Sequence, residues 1–184
     1  MTDIGQHIIQ SSRDGDREAF RILVGHYQQM VYSLAVKMLC DDEEAKDAVQ
    51  ETFIRVWTGL GAYDPSQKFV TWIYTIATRV CLNMLKVRRP LRPLDGDDCI
   101  QRLYAAADTE GHLTLEGREL AAIVRRLTDG LGPKQRLVFT LCQLEGLSVA
   151  EVKEVTGMNA VQIKSNLYMA RKTVKEQLKK LGYE

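Results

Sequence analysis

The chain keeps a helical period almost from end to end, and "RRPLRPLDGDD" at residues 88–98 cuts it in two. A proline inside a helix removes an amide donor and collides with the carbonyl one turn back, so no helix runs on through Pro90 and Pro93. The glycine among aspartates that follows is turn chemistry. Periodicity stays poor up to Gly117 and then resumes to the end. The expected fold is all-α, two small helical domains joined by a flexible linker. The expected divisions are residues 1–90, 91–117 and 118–184. No internal repeat or strand pattern stands out.

In the first part, Phe20, Leu23, Val24, Tyr27, Val31, Leu34, Ala35 and Met38 hold one amphipathic register, with Asp14 or Asp16 available as the cap. "DDEE" opens the next helix, Asp41 and Glu44 having the spacing of a capping box. This helix places Ala48, Val49, Thr52, Phe53 and Val56 on a core side and ends near Gly59 and Gly61. Its other side carries Asp47, Gln50, Glu51 and Ile54, two carboxylates, an amide and a bare isoleucine in one patch. Such a face meets either water or a partner. After the loop "YDPSQK", a helix from about Phe69 to Val87 has Ile73, Ile76, Ala77, Val80 and Met84 as its core side.

Charge is unevenly spread behind a net value of +1. Residues 94–117 carry six acids and one base, whereas residues 118–184 carry twelve bases and seven acids. An acidic connector followed by a basic segment suits a polyanionic partner for the latter. The most specific stretch lies there: "LSVAEVKEVTGMNAVQIKSNLYMARKTVKEQLKK". Ser148 and Glu151 form a capping box, Gly157 supplies a tight turn, and Asn159 and Gln162 repeat the capping spacing before a longer helix. Helix, glycine turn and helix at this length make a helix-turn-helix.

The two faces of the longer helix favour DNA over a plain helical hairpin. Ile163, Leu167, Ala170, Val174, Leu178 and Leu181 make its buried stripe. Val161, Gln162, Ser165, Tyr168, Met169 and Lys172 lie opposite, with Lys164, Arg171, Lys175, Lys179 and Lys180 adding charge. Short polar and apolar side chains reach base edges in the major groove, and flanking cations neutralise phosphates. Lys134 and Arg136 in "PKQR" stand at a helix start, another phosphate-friendly place.

Other chemistries find little support. Cys40, Cys81, Cys99 and Cys142 have no metal spacing and read as reduced thiols, the first two and the last within helices. There is no phosphate-cradling glycine loop and no nucleophile with a recognisable base, so no enzyme, cofactor or metal site is expected. No apolar run of about 18 residues suggests a membrane span, and a cytoplasmic protein is expected.

Both halves resemble the extracytoplasmic-function sigma factors, small bacterial initiation subunits of RNA polymerase. "GDREAFRILVGHYQQMVYSLA", "EEAKDAVQETFIRVW" and "KFVTWIYTIATRV" are similar to their region 2; "LGPKQRLVFTLCQLEGLSVAEVKEVTGMNAVQIKSNLYMARK" is similar to their region 4. The resemblance implies that Asp47, Gln50, Glu51 and Ile54 grip the polymerase beta-prime clamp. It implies promoter opening at the minus-ten element by Tyr63, Asp64, Ser66, Gln67, Lys68, Phe69 and Trp72, with Tyr74 as a further aromatic surface and Arg79 and Lys86 on phosphates. It assigns minus-thirty-five reading to Ser165, Tyr168 and Met169, supported by Lys134, Arg136, Gln162, Lys164, Asn166, Arg171 and Lys172. Asn166 and Met169 stand where the family usually has arginine, and Arg79 where it often has asparagine. Met169 suits a thymine methyl and an inward Asn166 suits adenine, which departs from a guanine-rich element. Asp95, Asp97, Asp98, Asp108, Glu110 and Glu116 would line a linker that mimics nucleic acid in the polymerase cleft, or simply form a soluble tether. Implied partners are core RNA polymerase through its beta-prime clamp and beta subunit, promoter DNA, and an anti-sigma regulator. The rival without polymerase is a free-standing dimeric repressor or activator.

Overall fold

A computed structural model describes residues 4–87, 115–128, 130–180 and 182. Among them lie eight α-helices: α1 (Gln6–Arg13), α2 (Arg17–Leu39), α3 (Asp42–Gly59), α4 (Phe69–Val87), α5 (Leu115–Thr128), α6 (Pro133–Phe139), α7 (Val149–Thr156) and α8 (Ala160–Lys180). A 3-10 turn, Leu60–Ala62, follows α3, and a wide π turn, Thr140–Leu144, extends α6. The described residues contain no strand.

The helix starts follow the local chemistry read from the sequence. The Asp16 carboxylate accepts from the amides of Glu18 and Ala19, opening α2. Asp41 accepts from Glu44 N–H at 3.0 Å and opens α3. Each cap satisfies an amide that the first helical turn leaves without a partner. The short α1, which periodicity did not predict, buries Ile9 and Ser12 against α2. α5 begins at Leu115, ahead of the expected boundary at 118, because Gly117 lies inside the helix rather than before it. The linker acids Asp95, Asp97, Asp98, Asp108 and Glu110, together with Cys99 and Leu181, lie outside the described residues; Glu116 falls within α5.

Leu23, Tyr27, Leu34 and Met38 of α2, Val56 of α3 and Ile73 of α4 are sealed from solvent. Leu137, Leu141, Val152 and Ile163 play the same part between α6, the π turn, α7 and α8. The two sets belong to one continuous apolar cluster, because α4 packs on α6 and α7. Two guanidinium groups fasten the second set of helices to the end of α2. Arg136 donates to the Met38 carbonyl at 3.2 Å and Arg125 to the Cys40 carbonyl at 3.3 Å. The last carbonyls of a helix lack internal partners and sit at the negative end of its dipole, so cations are favoured there. Cys40 is the C-cap of α2 rather than a member of a helix, with a left-handed φ of 55°.

Candidate nucleic-acid and protein interfaces

α3 presents the mixed patch to solvent. Asp47 and Gln50 are exposed, Ile54 is 51% exposed, and Glu51 is half-buried in an ion pair with Arg55 at 2.7 Å. Beside the patch runs an open groove of about 680 Å³ between α2 and α3. Phe20, Val24, Val49, Phe53 and Trp57 floor it, and Arg17, Lys46 and Gln50 rim it. Phe20 and Trp57 rings meet at 4.7 Å between centroids. Phe20 and Val24, expected in the core stripe, are only partly buried and line this groove instead. An apolar trough with a charged rim is a surface suited to docking a partner. The Glu51–Arg55 pair is no obstacle to a partner's cation, since exposed pairs contribute about 0–1 kcal/mol.

The 63–68 loop is built differently from the expectation. Tyr63 is 6% exposed and Phe69 2% exposed, so neither offers a free ring face to a base. Tyr63 meets Phe69 edge-on at 5.0 Å and Trp72 at 5.1 Å, and Phe69 reaches Tyr27 of α2 at 5.6 Å. Aromatic rings at helical spacing bury large areas when they cluster, and that gain takes these two inside. Their role is to hold the loop from beneath: the Tyr63 hydroxyl donates to the Gln67 carbonyl at 2.6 Å. Asp64 accepts from Ser66 N–H at 2.9 Å, and this bond holds its carboxyl below the usual range. Asp64, Ser66, Gln67 and Lys68 remain exposed on the fixed loop, as do Arg79 and Lys86 on α4. Trp72 is half-buried, its ring beside Gly59.

Ser148 and Glu151 make the expected capping box of α7, which holds the Glu151 carboxyl below its usual range with a smaller contribution from Lys68. Gly157 turns the chain with a left-handed φ of 70°. Asn159 and Gln162 close a second box at 3.0 and 2.9 Å, so the Gln162 amide is engaged in starting α8. Asn166 likewise donates to the Gln162 carbonyl at 2.8 Å. The outward face is open: Val161 is 76% exposed, Tyr168 69% and Met169 43%, with Ser165, Lys164, Arg171 and Lys172 exposed beside them. Ile163, Leu167, Ala170 and Val174 are buried on the other side, and Leu178 partly so. Lys134 is exposed at the start of α6, but Arg136 is not available as a phosphate contact. Its guanidinium is spent on the carbonyls of Met38 and Thr128.

One contact that sequence reasoning missed joins the halves. Glu145, at the end of the π turn, accepts from Lys37 Nζ at 2.6 Å and from the Tyr74 hydroxyl at 3.0 Å. Tyr74, expected as a surface for DNA, is therefore a strut between α4 and the π turn. Burial first, and the charge of Glu145 next, push its phenol well above the ordinary value, so it remains a donor at neutral pH.

Two segments match known families: residues 23–90 match sigma-70 region 2, and residues 121–174 match sigma-70 region 4. The chain is 30% identical to the RNA polymerase sigma-H factor of Pseudomonas aeruginosa, over 96% of this chain and 94% of that one. It is 28% identical to the ECF RNA polymerase sigma factor SigW of Bacillus subtilis, over 94% and 96% respectively. Two solved structures share the fold. CnrH, in complex with the cytosolic domain of CnrY, has a TM-score of 0.69 at 22% identity, covering 94% of this chain and 95% of CnrH. The Bartonella quintana sigma factor RpoE, in complex with the anti-sigma factor NepR, has a TM-score of 0.64 at 19% identity, covering 87% and 96%. No helix among the described residues is long and apolar enough to cross a membrane. The chain belongs to the extracytoplasmic-function group of sigma-70 RNA polymerase sigma factors.

Proposed function

We propose that this sigma factor divides promoter-specific initiation between its two sets of helices. Residues 1–90 act as region 2, docking on core RNA polymerase through Asp47, Gln50, Glu51, Ile54 and the adjoining groove, and opening the minus-ten element with the exposed loop residues, Arg79 and Lys86. Residues 118–184 act as region 4, laying α8 into the major groove of the minus-thirty-five element, with Ser165, Tyr168 and Met169 toward the bases and Lys164, Arg171, Lys172 and Lys134 toward phosphates. Residues 91–117 connect them. The observation that carries this reading is the two-sided α8, whose apolar stripe is sealed while Val161, Ser165, Tyr168 and Met169 stand outward. Each half alone should hold DNA weakly, and tethering both on polymerase multiplies their effect through local concentration.

The family is one of transcription initiation factors, not of known enzymes, and this proposal asks no catalytic step of the chain. Action on polymerase places it in the cytoplasm. An anti-sigma protein is the proposed regulator, by analogy with the NepR complex. A free-standing repressor would leave the α2–α3 groove and the ordered loop without use. Reconstitution with core polymerase followed by mapping of transcript starts across the genome separates the two. The expected result is a set of new starts sharing a two-part upstream motif, with a minus-thirty-five part that is not guanine-rich. Unchanged start choice would exclude the proposal.

A further inference from the structure

Charge is ordered along the α2–α3 groove. α3 opens with Asp42, Glu43 and Glu44 in its first turn and carries Asp47 exposed one turn further on. Lys46 answers two of these acids, at 3.0 Å to Asp42 and 2.9 Å to Glu43, which leaves this end of the groove acidic. The other end is basic. There Arg55 balances Glu51, and Arg17, exposed at the start of α2, adds a positive charge. Arg17 lines the groove one turn before Phe20, whose ring lies on Trp57. Between the two ends Ile54 stands 51% exposed beside the apolar floor. One face thus holds an acidic end, a basic end, an apolar knob and an apolar trough. Such a face complements itself when turned round. Contacts about a two-fold axis use the same patch on both subunits, so residue i meets j and j meets i. With the axis between Gln50 and Ile54, two copies of α3 run antiparallel. Gln50 of each copy then faces Ile54 of the other. Asp47 of each faces the Trp57 end of the other, where Arg17 stands.

We propose that, without polymerase, a second copy of this chain occupies the α2–α3 groove, Ile54 of each copy seated in the trough of the other and Asp47 of each beside Arg17 of the other. As regulation of the polymerase-docking face the proposal rests on the reading given above; the dimer itself forms without polymerase. Burying Ile54, Phe20 and Trp57 drives the association, and the two Asp47–Arg17 contacts fix its antiparallel register. A contact of one helix with one groove is at the small end of the range around 800 Å² per partner, so the dimer is expected only above about micromolar concentration. Its consequence is a store of chains whose docking face is covered and which polymerase draws on as monomers. Arg17 and Asp47 are both exposed, so their replacement leaves the core intact.

The test is sedimentation velocity of the full chain over a range of concentrations at fixed salt. Wild-type protein is expected to pass from monomer to dimer as concentration rises. Arg17→Glu alone and Asp47→Arg alone each set like charges together at both symmetric positions, and each is expected to weaken the dimer at least about tenfold. An equimolar mixture of the two variants again pairs a carboxylate with a guanidinium at both positions. It is expected to regain a dimer of near wild-type strength, which two variants that merely misfold would not do. A wild-type chain that stays monomeric at about a hundred times micromolar concentration overturns the proposal. So does a dimer that neither variant weakens, or a mixture that recovers nothing. Added core polymerase is expected to take up the chain as a monomer. If the charge exchange behaves as expected and polymerase binds the dimer intact, the dimer stands and polymerase docks on another face.

Discussion

Replacing Asp47 and Glu51 together by lysine is expected to weaken binding to core polymerase at least about a hundredfold, while the melting temperature stays near that of the wild type. Both side chains sit on the solvent side of α3, away from Ala48, Thr52, Phe53 and Val56, which are buried. The fold loses only the exposed Glu51–Arg55 pair. At the interface the change does more than remove two attractions. On the proposed docking surface it would set lysines against the cations that two carboxylates are suited to meet, and juxtaposed like charges cost several kcal/mol, whereas about 2.8 kcal/mol already corresponds to a hundredfold in affinity. Titration of labelled protein with core polymerase at fixed salt reads the effect. Raising the salt should weaken the wild type and partly restore binding in the variant, because screening reduces the attraction in the first and the repulsion in the second. Wild-type affinity in the double variant would place the docking surface elsewhere.

The second large effect is expected at Glu145. In this structure α4 and α7 are in contact, and Glu145 ties the π turn to Lys37 and Tyr74. Two promoter elements about two helical turns apart are separated by about 70 Å of duplex. On the proposed reading α4 and α8 must stand that far apart on DNA, which two sets of helices packed through α4, α6 and α7 do not allow, so reading both elements requires the halves to part. Lys37 and Glu145 side chains are only 22% and 10% exposed. Removing one partner from a largely buried pair costs about 3–5 kcal/mol, and the partial exposure of Lys37 puts this case at the lower end. Glu145→Ala should therefore raise the ratio of open to closed chain about a hundredfold. Energy transfer between dyes on α1 and on the exposed side of α8 reads the separation in the free protein. Efficient transfer retained in the variant would mean that the apolar contacts and the Arg125 and Arg136 hydrogen bonds between the halves, not this ion pair, keep them closed. The α2–α3 groove is open in the closed arrangement, so docking on polymerase can precede the parting of the halves.

What the sequence disclosed and what it withheld divide along range. The caps at Asp16, Asp41, Ser148 and Asn159 join residues two or three apart, and so do their signals. The stripes of α2 and α8 repeat every turn and identify their buried faces without any knowledge of the partner. Arg136 looked like a phosphate ligand because a cation near a helix start usually faces outward; its acceptor, the Met38 carbonyl, is 98 residues away. Glu145 and Lys37 are 108 residues apart, and neither stands out in its own segment. Tyr63 and Phe69 carry rings that a DNA loop would use and that a core would use equally; only the packing against Tyr27 and Trp72 decides. α1 was missed because "QHIIQSSR" has one buried isoleucine and a buried serine in two turns, too short a stripe to show a period. The groove beside Ile54 was invisible for a related reason: a periodic stripe marks apolar side chains and does not say where a neighbouring helix fails to cover them.

The most direct test of the division of labour is site-specific photo-crosslinking in the complete promoter complex, with a benzophenone side chain at position 54 or at position 169 in otherwise wild-type chains. The account expects position 54 to cross-link to the large polymerase subunits and not to DNA, and position 169 to cross-link to duplex DNA upstream of the start. Cross-links from position 169 to polymerase alone, or from position 54 to DNA, would contradict it.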